Sequence, residues 1–175
     1  SFTYRWLSSA DGITFSAIPG AINETYNPGI LIADAWYSRE VTSTYLGKAC
    51  VDTTNIIRVT VNNFDPGSIG SEQTICEGAT PAALTSMAPS GDGSFSFQWK
   101  YSTDGVNYLN IAGANLATFA PGILTQDTWY IRAVTSTLNG VTCTEETNAV
   151  RIYVNNVNGG TIISDQTICN GADPV

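Results

Sequence analysis

Residues 95–101 read Phe-Ser-Phe-Gln-Trp-Lys-Tyr, with apolar and polar positions in strict alternation. Successive side chains of a strand point to opposite faces, so Phe95, Phe97 and Trp99 share one face and Ser96, Gln98 and Lys100 share the other. Phe2, Tyr4 and Trp6 alternate in the same way with Thr3 and Arg5. Both stretches predict half-buried strands and place Trp6 and Trp99 in a core. Ser102-Thr103-Asp104-Gly105 predicts a tight turn, because Asp-Gly tolerates the backbone angles of a sharp bend. Further strands are expected at 74–76, 82–84, 110–114, 117–119, 129–136 and 148–154. In the last of these Val150, Ile152 and Val154 alternate with Arg151 and Tyr153, as Ile57, Val59 and Val61 alternate with Arg58 and Thr60. Pro121-Gly122 breaks the chain, and no amphipathic helical pattern is present.

The pattern is written twice. Gln73-Thr74-Ile75-Cys76 returns as Gln166-Thr167-Ile168-Cys169, and Trp6, Asp11-Gly12, Pro28-Gly29, Trp36-Tyr37, Cys50 and Asn62-Asn63 all return 93 positions later. About half of the positions 1–82 are identical at 94–175, with no gap. This period exceeds that of a solenoid repeat, roughly 20–50 residues, and suits a β-sandwich domain of about 100 residues. The expected fold is therefore all-β, a tandem array of immunoglobulin-like β-sandwich repeats of period 93. Residues 1–63 read as the C-terminal part of a first repeat, 64–156 as a complete second repeat and 157–175 as the start of a third. The stretches 62–67 and 155–160 read as short linkers. The spacing of Leu124, Thr128 and Tyr130 is that of a tyrosine corner, which predicts a hydrogen bond from the Tyr130 hydroxyl to the upstream backbone.

Composition narrows the function. Apolar residues make up 43% of the chain, enough for a packed core, and charged residues only 13%. Abundant Thr, Ser, Asn and Gly suit strands and turns of an extracellular protein. Ser1 opens directly into an apolar run, as expected of a piece of a longer chain. A net charge of −8 argues against a nucleic-acid partner, which needs a basic surface. No apolar run is long enough for a membrane helix, so membrane insertion is not expected. Histidine is absent. That removes the commonest general base and every Ser-His or Cys-His nucleophile pair, so the chain reads as non-enzymatic.

Candidate chemistry lies in a few side chains. Four cysteines allow three disulfide pairings in an oxidising compartment. Joining the equivalent residues of separate repeats, Cys50 to Cys143 and Cys76 to Cys169, is set aside. Cys50–Cys76 with Cys143–Cys169 crosses the expected domain boundaries. The favoured bond is Cys76–Cys143, within the complete repeat, with Cys50 and Cys169 pairing outside the chain. Chain-entropy reasoning gives such a loop about 4 kcal/mol. CxxC spacing and His are both missing, so no zinc site is expected. Asp65, Glu72 and Glu77 offer oxygen ligands for calcium, but their counterparts Asn158, Asp165 and Asn170 carry less charge and no EF-hand spacing occurs. No metal and no cofactor are called for. Glu145-Glu146 is not an acid–base pair, because adjacent strand residues point apart. Recurring Arg39 and Arg132, with recurring Asp34 and Asp127, suggest an Arg–Asp pair in each repeat. Trp36 and Trp129 stand on a face that continues in the first copy with Ser38, Glu40 and Thr42. They read either as an aromatic platform for sugar or protein contact, or as cover for a sheet face.

The phrases TICEGATPAAL, FQWKYSTDGVNYLNIAGA, TFAPGILTQDTWYIRAVTS and TNAVRIYVN resemble the tandem immunoglobulin-like repeats of very large Bacteroidetes surface proteins, the gliding-motility adhesins of the SprB type among them. The resemblance covers essentially the whole chain. It implies export by type IX secretion, an extracellular place at the bacterial cell surface, and a part in attachment or gliding. The expected role is a non-catalytic stalk whose partners are neighbouring repeats of the same protein. Two other roles are a polysaccharide-binding module, using Trp36 and Trp129 on surface polysaccharide or other surface proteins, and a subunit of an extracellular filament.

Overall fold

The structure, a computed structural model, describes residues 1–162 and 165–174. Among them there is no helix. The strands are β1 (Phe2–Ser9), β2 (Ser16–Ala17), β3 (Ala35–Tyr45), β4 (Lys48–Thr53), β5 (Ile57–Val59), β6 (Phe64–Asp65), β7 (Ile69–Gly70) and β8 (Gln73–Cys76). They continue with β9 (Thr85–Ser86), β10 (Ser90–Gly91), β11 (Ser94–Ser102), β12 (Leu109–Asn110), β13 (Thr128–Leu138), β14 (Val141–Glu146) and β15 (Val150–Asn155). The chain is thus all-β with several sheets, consistent with a β-sandwich. It divides into two compact units, the first from Ser1–Gly67, Pro89–Ser96 and Val134–Glu145, the second from Ser68–Ala88, Phe97–Ala133 and Glu146 onward.

In the first unit the sheet order is β2-β1-β3-β4, with β5 also on β3. β1 and β3 are antiparallel from Phe2↔Ser43 to Ser9↔Trp36. Of Phe2, Tyr4 and Trp6, Phe2 is exposed and Trp6 is half-buried in a ring cluster, its centroid 5.7 Å from Tyr26, which lies 6.0 Å from Tyr37. Phe64–Asp65, expected as linker, instead pairs with Ser90–Gly91, and the Phe64 ring packs 6.0 Å from Phe95.

The other large sheet has the order β12-β11-β13-β15-β8, with β14 on β13, and its residues 97–133 and 146 onward belong to the second unit. Its core gathers Trp99, Tyr130, Val150 and Ile152 from this sheet with Ile69 and Leu84 from a covering layer that holds the two-stranded β7–β9 sheet. β8 joins β15 in parallel, from Ile152↔Gln73 to Asn155↔Cys76. Trp99 is fully buried, as its alternation predicts, and its indole donates to the Leu116 carbonyl at 2.9 Å. Burying such a side chain with its N–H satisfied contributes roughly 1.5–3 kcal/mol.

Two local expectations fail for identifiable reasons, and two strands form that none anticipated. Residues 110–114 and 117–119 contribute little strand: after Asn110 the chain turns so that Ile111 donates to the Trp99 carbonyl and the Trp99 amide to Ala114, both at 2.9 Å. Phe119 makes only an isolated bridge to Leu84. Strands β4 and β14 are not marked by alternation. They are set by turns: Leu46-Gly47 and Asn139-Gly140 all have positive φ, as a type I′ hairpin requires. Tyr130 sits in the core with its ring 5.8 Å from Phe119, and no hydrogen bond runs from its hydroxyl to the upstream backbone among the described residues. The tyrosine corner is not built, and burial pushes the phenol up to about 12.

Ile152 is fully enclosed, whereas Val59, 93 positions earlier, is partly open. Ile152→Ala should destabilise the protein by about 2–5 kcal/mol, and Val59→Ala by no more than about 1 kcal/mol, in urea unfolding. Equal losses would contradict the enclosed core.

Candidate functional site

The side chains that recur gather into one cluster in each unit. In the first, Trp36 opens β3, and Arg58 of β5 is its direct cross-strand partner. The guanidinium lies over the indole, 5.0 Å from a ring centroid, and donates to the Asp34 carboxylate from Nη2 at 2.5 Å and Nε at 3.2 Å. The other Asp34 oxygen accepts the Val61 amide at 2.8 Å. In the second unit Trp129 faces Arg151, whose guanidinium stands 4.4 Å from the indole centroid and donates to Asp127. Asp127 Oδ1 accepts the Val154 amide at 2.6 Å. Arg151 also lies over Tyr153, where the first unit has Thr60.

The Asp-Gly turns complete these clusters. Asp11 Oδ1 accepts the Ile13 and Thr14 amides at 2.8 Å and the Ser9 hydroxyl at 2.7 Å. Asp104 does the same with Val106, Asn107 and Ser102 at the same distances. The turn glycine then meets the indole. A Cβ on Gly12 would come within 3.0 Å of Trp36, and one on Gly105 within 3.2 Å of Trp129, and both glycines have φ near +73°. Only glycine combines that backbone angle with that approach.

Each tryptophan is therefore half-buried, in contact with a turn glycine and with a guanidinium across its ring. Electrostatics fit this arrangement. The Arg58 guanidinium, then the Val61 amide, hold Asp34 below the usual carboxylate range. The Val154 amide, then Arg151, do so for Asp127. Amide and hydroxyl donors, led by the Thr14 and Asn107 amides, depress Asp11 and Asp104 further. Chemically, the cluster fastens turn, sheet and following strand together, with both oxygens of Asp34 and Asp127 engaged.

The expected partners of those aspartates were Arg39 and Arg132, and that pairing is corrected. Arg39 donates from Nη1 to the Glu24 carbonyl at 2.5 Å and lies over Tyr4 and Trp6. Arg132 is fully buried, donates to the Ala117 and Met87 carbonyls at 2.8 and 2.9 Å, and lies over Phe97 and Trp99. The true partners, Arg58 and Arg151, also recur at 93, which was the available signal.

All four cysteines are free thiols, so the expected Cys76–Cys143 bond is not formed. Cys76 ends β8 in the second unit, and Cys143 on β14 belongs to the first. Cys50 and Cys169 are exposed. Asp65, considered for calcium, accepts the Gly67 amide at 2.7 Å in a turn, and among the described residues no three acidic or thiol groups gather as a metal site would need. Glu146 is bound to Lys100 at 2.6 Å.

Fold and clusters together define an all-β protein that builds one tryptophan–arginine–aspartate arrangement in each of two units. The chain belongs to the family described as a domain of unknown function, DUF8696, matched over residues 2–63 and again over 65–156. A search of the curated proteins found no match.

The depressed carboxylates fix a sign with pH. Their contribution to stability is fully present above the unfolded value near pH 4 and is lost as pH falls through the lower folded values. Thermal unfolding should be level above about pH 4 and fall steeply below it. Asp127→Asn should lower the midpoint at neutral pH and lose less on acidification. A variant as acid-sensitive as the parent would contradict the role of Asp127.

Proposed function

We propose that the chain is a force-bearing stalk segment of a large secreted cell-surface adhesin, built of tandem immunoglobulin-like repeats of period 93, outside the bacterial cell and active in attachment or gliding. The observation that carries this reading is the parallel pairing of β8 with β15. β8 lies early in the second unit and β15 late. Tension applied at the start of one and the end of the other slides two parallel strands past each other and loads their hydrogen bonds together, not one by one. The tandem family matches support a serial arrangement. The tryptophans support it too, since guanidinium groups already lie over the rings that a sugar would stack on.

Single-molecule pulling tests the reading. Stretched through its two termini, the second unit should resist with a higher unfolding force than when pulled across β8 and β15 from one end, which peels the bonds singly. Equal low forces in both directions would contradict a load-bearing role. Polysaccharide binding that is lost on Trp36→Ala or Trp129→Ala would favour the binding-module reading instead.

A further inference from the structure

The repeats and the compact units do not coincide. The two family matches cover 2–63 and 65–156, yet Pro89–Ser96 and Val134–Glu145 of the second match belong to the first compact unit. The bonds of Asn62 and Asn63 cross that boundary inside the first unit. The Asn63 amide donates to the Val61 carbonyl at 2.9 Å, so the chain bends at Asn62. Asn62 Nδ2 donates to the carbonyls of Ser136 on β13 and Val141 on β14, at 3.1 and 3.2 Å. Its Oδ1 accepts the Ser136 hydroxyl at 2.8 Å. One carboxamide therefore spans both strands of the β13–β14 hairpin and satisfies a hydroxyl on a fully buried serine. Asn63 reaches the opposite way, and its Nδ2 donates to the Ile32 carbonyl of the first match at 2.7 Å.

The seat is shaped for this segment. Gly91 has φ +143°, and a Cβ there would come 2.7 Å from the Asn63 carbonyl oxygen and 2.8 Å from the Phe64 Cβ. A Cβ on Gly93 would run into the hydroxyl of Ser136, the same one that Asn62 accepts. Phe64 pairs with Gly91 and packs its ring against Phe95. From the first repeat, the tryptophan cluster sets the bend. Asp34, held by Arg58, accepts the Val61 amide, and the bend closes on the carbonyl of that same residue.

We propose that Asn62 is a latch that makes residues 134–145 of the second repeat fold and open together with the first repeat. The job needs a carboxamide. Aspartate has nearly the same shape, but it would set a carboxylate oxygen against two carbonyls where Asn62 presents an N–H donor. The second repeat is then no independent link, because its β13–β14 hairpin is held by its predecessor. The latch consists of bonds within the first compact unit and stands apart from the stalk reading, which a failed pulling test would remove while leaving the latch in place.

Amide hydrogen exchange on the full chain, read by NMR, tests the latch with two substitutions and their combination. Asn62→Asp should speed exchange of the hairpin amides 134–145 by about tenfold, with little change in β1 and β3. Tyr37→Ala, which opens the ring cluster of Trp6, Tyr26 and Tyr37, should speed the same hairpin amides by a similar factor and leave 129–133 as they are. In the double variant the two effects on the hairpin should not add, since a broken latch transmits nothing. If Tyr37→Ala unfolds the first repeat outright, the hairpin amides should exchange freely while the Trp99 indole proton stays protected. Effects that simply add, or a hairpin that keeps its protection in either single variant, would overturn the proposal.

Discussion

The second unit depends on the seating of residues 68–88 over its main sheet. β8 extends the sheet beyond β15, while Ile69 and Leu84 close over Trp99, Tyr130, Val150 and Ile152. Enclosure imposes polar obligations, because a buried donor without a partner costs about 1–3 kcal/mol. The Trp99 indole donates to Leu116, and Arg132 donates from Nη1 to Ala117 and from Nη2 to Met87. Met87 directly follows β9, so the same segment that excludes water also supplies a carbonyl to the charge it buries. Apolar cover and the bond from Arg132 to Met87 are therefore formed or lost together.

A second constraint acts at the other side of each sheet. Aspartate fixes a tight turn, the turn brings a glycine against tryptophan, and tryptophan stacks on the arginine of the neighbouring strand. A second aspartate then holds that arginine and the amide beyond it. Each group positions the next, which accounts for the simultaneous return of Asp11, Gly12, Asp34, Trp36, Arg58 and Val61 93 positions later. Exposed ion pairs are worth little alone. Here the pair is stacked on an indole and tied to backbone, and its contribution is chiefly geometric.

Much of this was legible in the sequence where the signal was local. Alternation located β1 and β11 and put Trp99 in the core, and Asp-Gly located the turns. The β13–β14 hairpin was not expected from the sequence, although Asn139-Gly140 is a turn signal for it, because Val-Thr-Cys-Thr-Glu-Glu gives no clean alternation. Long-range pairing was not legible. Asp34 and Arg58 lie 24 residues apart and meet only because β5 pairs with β3 in one register. Nothing local distinguishes Arg58 from Arg39 as the partner. Cys76 and Cys143 lie within one family match, 65–156, but in different compact units, and membership of one repeat did not tell how far apart the fold holds them.

The two sheets, about half identical in sequence, differ in cover. The Trp99 and Trp6 indoles test it most directly, since each donates to a backbone carbonyl, at 2.9 and 3.0 Å, and only Trp99 is fully enclosed. Hydrogen exchange of the two indole protons should be followed by NMR under native conditions. The Trp99 proton should exchange only through unfolding of its unit, and the Trp6 proton should exchange orders of magnitude faster through local opening. Equal rates for the two would contradict a difference in enclosure between Trp99 and Trp6.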